Sequence, residues 1–237
     1  MTDDDRRAKP KLTRELLAAA ALRIADAEGL EALSMRRLGA ELGVDPMAAY
    51  RHLPNKKALL AGVVEAVLTG ADVETDPAAP WQDQFTEVAR AYRRAMLAHS
   101  PTVARLAATT PYNSLESLRT VEHGAAILAT AGVPLAAAVS AIQAVGQLVS
   151  GAVLLEAFWR EWAASGGEIY LYPPLLPHPE LPVLSEAATA EDFLAPEAVF
   201  EFGLGAIVEK LAALIPEGRA EQDLARRRPR GAGRRTV

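Results

Sequence analysis

The sequence predicts an all-α protein, and three observations carry that expectation. Half of the 237 residues are hydrophobic while only 5% are aromatic, so the core must be built from Leu, Ala and Val, a mixture that favours helices over sheets. Apolar residues recur at threes and fours through most of the chain, which places them on one helical face. Helix signals punctuate these runs: Thr13, Ser34, Asp45 and Asn55 stand where caps are needed, and Gly29, Gly43, Pro54, Gly132 and Pro216 where helices stop.

The first helix starts at a Thr13 cap, with Glu15 in its first turn and Leu12 positioned to staple onto Leu17. Leu16, Ala20 and Ile24 then recur at fours, Ala27 follows three further on, and Gly29 ends the run. The second helix repeats the device with a Ser34 cap between Leu33 and Leu38; Met35, Leu38 and Leu42 form its inner face, leaving Arg36, Arg37 and Glu41 outside. Gly43 closes it. Asp45-Pro46 opens a third helix two residues later, because Asp is a preferred cap and Pro is preset for the first helical position.

That third helix runs only to about His52 before Leu53-Pro54, too short to persist without neighbours. Val44, Ala49 and Leu53 are its expected inward anchors, so Met47, Ala48, Tyr50 and Arg51 face out. Three helix boundaries within the stretch Leu33 to Lys57 are the parts of a helix-turn-helix. An outward Tyr, Arg and His on one short helix fits DNA: Arg suits a phosphate or a guanine edge, Tyr and His phosphates, and Met a thymine methyl.

The net charge of −5 is unevenly distributed. Residues 1–60 carry +2, residues 61–218 carry −12 and residues 219–237 carry +5. Only the ends are therefore suited to phosphate, since screening keeps such attraction local. The tail ARRRPRGAGRRTV has no apolar face and is expected to be disordered, adding at most salt-sensitive, sequence-independent affinity.

Asn55 caps a fourth helix that continues to about Thr69 through Leu59, Leu60, Val63, Val64 and Val67. ADVETDPAAP then breaks the pattern. Helical stripes resume over Trp81 to Ala98 (Trp81, Phe85, Val88, Ala89, Tyr92 and Met96) and over Thr120 to Ala131, with a mixture of short helix and turn between them. Pro134 opens the longest apolar helix, which ends at Gly166-Gly167 and holds no charge from Leu135 to Leu155. Its Ser140, Gln143, Gln147 and Ser150, and the lack of a second span, favour a buried helix of a soluble bundle or dimer core over a membrane crossing. Residues 165–196 read as a proline-rich loop, with prolines at 173, 174, 177, 179, 182 and 196. A last helix, Glu197 to Leu214, carries Phe200, Gly203, Leu204, Ile207 and Leu211 on one face.

LSMRRLGAELGV followed by AAYRHLPNKKALL resembles the DNA-binding end of the TetR family of bacterial repressors, and the likeness covers residues 12–60. It implies that Arg36 reaches a base, that Met47, Ala48 and Tyr50 lie against the groove, and that His52 and Lys56 hold phosphates; the outward Arg51 joins them from its position. Pro46, Met47 and Ala48 are poor in donors where tetracycline repressors carry polar side chains, which shifts base reading toward Arg36 and Arg51. WQDQF, AMLAH, AIQAVGQLVSG and FEFGLGAIVEKL are similar to the ligand-binding domain of the tetracycline-repressor subgroup. This implies a homodimer built from the long helix and the last helix, although the same stripes would also serve as one subunit's core.

The expected organisation is a helix-turn-helix DNA-binding domain (1–58), a helical effector-binding and dimerisation domain (59–218) and a basic tail (219–237). A cytoplasmic protein follows from an N-terminus, MTDDDRRAKP, that has no secretory pattern. The effector is expected among the central helices, in a mostly apolar pocket with polar groups drawn from Tyr92, Thr110, Arg119, His123, Gln143 and Gln147. Leu106 stands where the tetracycline repressors carry a metal-binding histidine, which argues against tetracycline-magnesium as the inducer. His52, His99, His123 and His178 show no metal-ligand spacing, there is no cysteine, and no nucleophile-base pattern emerges, so neither a cofactor nor an enzymatic activity is expected. Two readings stay open: a repressor released from a palindromic operator by a small molecule, and a DNA-binding regulator governed by a protein partner or by abundance.

Overall fold

The described residues form ten helices, α1 (Arg14–Glu28), α2 (Met35–Leu42), α3 (Pro46–Tyr50), α4 (Lys56–Thr69), α5 (Trp81–Leu97), α6 (Pro101–Thr109), α7 (Leu115–Ala131), α8 (Leu135–Ala164), α9 (Pro182–Ala187) and α10 (Pro196–Ala212). They are seen in a computed structural model that describes residues 12–71, 75–110, 115–167, 176–190, 193 and 195–216, and no strand occurs among these residues. The basic tail at 219–237 and Pro173 and Pro174 of the proline-rich segment lie outside the described residues.

Local chemistry sets the first four helices. Thr13 Oγ1 accepts the Leu16 N–H at 3.2 Å, Ser34 Oγ the Arg37 N–H at 3.2 Å, Asp45 Oδ1 the Met47 N–H at 2.7 Å and Asn55 Oδ1 the Ala58 N–H at 2.8 Å. Each satisfies a donor that the first turn of a helix leaves without an internal partner. Gly43 ends α2 in the left-handed region, at φ 63° and ψ 34°, where a side chain would be strained.

Two compact units divide the described chain. One holds α1 to α4, the end of α5 from Arg94, α6, the start of α7 and the end of α8 from Val153. In it α1 packs along α4, α2 on α1 and α3, and α6 on α4 and α1. Gly62 of α4 admits Ala18 of α1, whose methyl group would lie 3.5 Å from any Cβ placed there. The inner face of α1 is Leu17, Ala18, Ala20, Ala21, Ile24 and Ala25, rotated from the Leu16-to-Ala27 row expected from sequence; Ala27 is exposed. The alanine-rich helix carries two nearly equivalent apolar rows, and packing on α4 selects one.

The second unit holds α5 to Arg93, α7 from Leu118, α8 to Ala152, and α9 and α10. Here α5 is clamped to α10. Arg90 pairs with Glu201 through two contacts of 2.7 Å, and Arg93 pairs with Glu197 while its guanidinium lies 4.9 Å above the Phe200 ring. The Arg90 hydrogen bonds hold the Glu201 carboxyl below its ordinary pKa. Gly203 of α10 closes on α8, since a Cβ there would sit 2.9 Å from Leu148 Cδ1.

Three expectations change. Helix α7 begins at Leu115, ahead of Thr120, and the proline-rich segment contains the short helix α9. The polar LESLR start of α7 hides its period, and α9 is too short to show one. The third concerns α8, which has the length and apolarity of a membrane span yet is buried on one face only. Ala138, Ala141, Val145, Val149, Val153 and Ala157 form the buried row, whereas Leu135, Val139, Leu155, Phe158 and Trp162 are exposed.

Candidate nucleic-acid interface

The turn between α2 and α3 is drawn tight around Gly39. Its carbonyl accepts the N–H of Gly43 and, at 2.9 Å, that of Val44. A Cβ on Gly39 would lie 2.8 Å from the Val44 carbonyl oxygen and 3.2 Å from Pro46 Cγ, so the chain enters α3 through space that any side chain would occupy. No cap or periodic signal in the sequence marks this glycine; its role lies in the space it leaves. Gly39→Ala is therefore expected to destabilise the helix-turn-helix by ~1–3 kcal/mol despite alanine's better helix propensity, because backbone must shift. Thermal unfolding of the variant checks it, and an unchanged or raised midpoint would show that the turn relaxes freely.

Helix α3 is held from inside by Ala49 and Leu53, both fully buried. The N–H groups of His52 and Leu53 bond back to the Ala49 carbonyl at 3.1 and 3.0 Å, which carries the turn past Tyr50 to Pro54. The opposite side presents Met47, 68% exposed, and Tyr50, 43% exposed, with Arg51 exposed and Ala48 and His52 half-buried. Lys56 follows at the exposed start of α4.

The two adjacent arginines of α2 differ sharply. Arg37 is bound on all sides: Nε lies 3.0 and 3.1 Å from the two Glu28 carboxylate oxygens, Nη2 2.6 Å from Glu28 Oε1 and Nη1 3.0 Å from Glu41 Oε2. These bonds raise its pKa above the ordinary arginine value and lower that of Glu28. Arg37, expected on the outer face, thus fastens α2 to α1 through Glu28, and Arg23 of α1 lies 3.8 Å from Glu41. Arg36 is exposed and, among the described residues, has no ion-pair partner, and the same holds for Arg51 and Lys56. An apolar and aromatic surface beside three uncommitted cations can meet base edges and phosphates together.

The residues singled out for an effector fall in both units. Tyr92 is buried in the second unit. Thr110 belongs to the first unit, where its hydroxyl donates to the Leu106 carbonyl at 2.6 Å. Arg119 and His123 are exposed on α7, His123 Nε2 lying 3.5 Å from Thr75 Oγ1. Gln143 and Gln147 are exposed on α8. A groove of 480 Å³ between α1 and α4 is lined by Arg14, Glu15, Ala18, Ala19, Glu65, Ala66 and Thr69, and by none of these six. Among the described residues no cluster of His, Asp and Glu is arranged to hold a metal ion.

A capped two-helix turn carrying an uncommitted basic and aromatic face, followed by a larger helical region, defines a helix-turn-helix DNA-binding regulator. Family models narrow the class: "Bacterial regulatory proteins, tetR family" matches residues 17–63 and "Tetracyclin repressor-like, C-terminal domain" matches residues 75–215. The chain belongs to the TetR family of transcriptional regulators. It is 32% identical over 204 residues to the tetracycline repressor protein class A from transposon 1721 of Escherichia coli, covering 85% of this chain and 91% of that protein. Among solved structures it is similar to the Streptomyces coelicolor TetR family protein ActR in complex with actinorhodin, at TM-score 0.69 and 30% identity, covering 88% of this chain and 99% of that one. It is also similar to BioQ with its double-stranded DNA operator, at TM-score 0.59 and 28% identity, covering 86% of this chain and 99% of that one.

Proposed function

We propose that the chain is a cytoplasmic, homodimeric repressor that leaves a palindromic operator when a small molecule binds its C-terminal region. The uncommitted Arg36, beside a fully occupied Arg37, is the observation that carries the DNA half of this reading. Arg36, Met47, Ala48, Tyr50 and Arg51 form the base-reading face, and His52 and Lys56 flank it as phosphate contacts. Two such faces, one per subunit, would enter major grooves roughly one helical turn apart.

Exposed apolar surface supports the dimer. Val139 and Leu155 of α8 and Val199 and Phe202 of α10 are exposed, Phe202 by 81%, on helices that pack closely at Gly203. Large exposed apolar groups of this kind mark contact surfaces. Gln143 and Gln147 share the exposed side of α8 and belong with that contact, whereas Tyr92, Thr110, Arg119 and His123 remain the effector candidates. Similar proteins support both halves: ActR is solved with actinorhodin, and BioQ with its double-stranded DNA operator. Leu106 offers no metal ligand, so the effector is a species other than tetracycline-magnesium.

Genomic footprinting followed by fluorescence anisotropy on the recovered duplex tests the reading, with light scattering to count subunits. A dimer bound to a two-fold symmetric site is expected. A strict monomer at micromolar concentration, or binding without sequence preference, would overturn it.

A further inference from the structure

Helix α6 begins at a cap supplied partly from another helix. Ser100 is its N-cap residue, with Oγ accepting the Val103 N–H at 3.4 Å, and Pro101 follows with no N–H to satisfy. The N–H of Ser100 itself turns away to α1, where Asp26 Oδ1 accepts it at 2.8 Å. The other oxygen, Oδ2, lies 2.7 Å from His99 Nδ1. At this distance an Nδ1–H of His99 would donate to the carboxylate. Asp26 thereby places a negative group at the positive end of α6, reinforcing the two hydrogen bonds.

Other ties converge on the same corner of this unit. Arg160 near the end of α8 donates to the Leu97 carbonyl, the last residue of α5, at 2.8 Å. Arg105 of α6 grips Glu161 of α8 with contacts of 2.6 and 3.3 Å. The start of α6 and the ends of α5 and α8 are thus joined, and within this group of contacts Asp26 is the polar link to the reading helices. Helix α6 packs on α4 and α1 and buries Val103, Ala104 and Ala107, whereas the two-oxygen grip on its start is directional and sets position.

We propose that Asp26 is the positioning residue that couples α6 to the DNA-reading helices: it caps α6 from α1, so the reading helices and α6 report each other's state. The inference rests on the regulator reading above and names one of its regulatory contacts. Coupling is reciprocal, so DNA binding must be felt at α6 even when no effector has been identified.

The test uses full-length protein and the duplex recovered by footprinting, with hydrogen exchange read at the α5–α6 junction. In the wild type the duplex should change exchange across His99 to Ala104. In Asp26→Ala the Ser100 amide should exchange about tenfold faster or more without DNA, from loss of a hydrogen bond to a charged group. The response of α6 to the duplex should vanish while the variant still binds it. Asp26→Asn, whose amide oxygen can still accept from Ser100, should keep part of the response, and it serves with His99→Ala if the alanine variant does not fold. An α6 response unchanged in all three variants, or absent from a wild type that binds the duplex, overturns the proposal. Failure of the wild type to bind any duplex instead refutes the regulator reading itself.

Discussion

Truncating Phe200 to Ala is expected to cost ~3–5 kcal/mol of stability, the range for emptying an aromatic site in a packed core. Phe200 is 1% exposed, and its ring supports Arg93, the one buried charged side chain among the described residues. Removing the ring opens a cavity and strips the guanidinium of its apolar cover, while Glu197 remains. Phe200→Leu keeps most of the volume and loses the ring face, so a smaller cost, about 1 kcal/mol, is expected. Chemical denaturation of both variants separates cavity from cation–ring contact. Equal losses would show that the ring face, which both variants remove, carries the effect and that the cavity adds little; a loss below about 1 kcal/mol for Phe200→Ala would show that α5 and α10 close over the gap.

Arg36→Ala is expected to weaken operator binding by ~1–3 kcal/mol, roughly 5- to 150-fold in Kd, while leaving the unfolding midpoint unchanged. Arg36 makes no ion pair among the described residues, so its removal costs the fold nothing visible. Arg37→Ala should reverse the pattern. It releases Glu28 and Glu41 and loosens α2 from α1, lowering the midpoint, and it affects DNA only through the position of the turn. Anisotropy at one fixed salt concentration, with calorimetry alongside, distinguishes the two arginines. Arg36→Ala with full affinity would move base reading to Arg51 and Tyr50; Arg37→Ala with unchanged stability would mean that its carboxylate contacts have no net effect.

The helices of the reading end follow from the sequence because their signals are local. Thr13, Ser34, Asp45 and Asn55 each cap within three residues of themselves, and Gly43 adopts a backbone conformation that its own lack of Cβ permits. The outward setting of Met47 and Tyr50 was also readable, since Ala49 and Leu53 were the only inward choices that two turns offered. Beyond residue 60 the inner faces of α5 (Phe85, Val88, Ala89, Tyr92 and Met96) and α10 (Phe200, Leu204 and Leu211) are legible in the sequence as well, but that of α8 is not. An apolar helix such as α8 carries several equivalent rows, and no residue on it says which one meets a neighbour.

By itself, then, the sequence determined the helical class and the helix-turn-helix, which rest on cap chemistry and spacing along the chain, and its motifs carried the resemblance to the family. Tertiary structure decided which of two neighbouring arginines is free for DNA, why Gly39 must lack a side chain, and that Asp26 caps a helix more than seventy residues away. Each of these depends on what a turn or another helix brings within about 3 Å, the range of a hydrogen bond or a steric contact, and no cap or periodic pattern in the sequence encodes that neighbour.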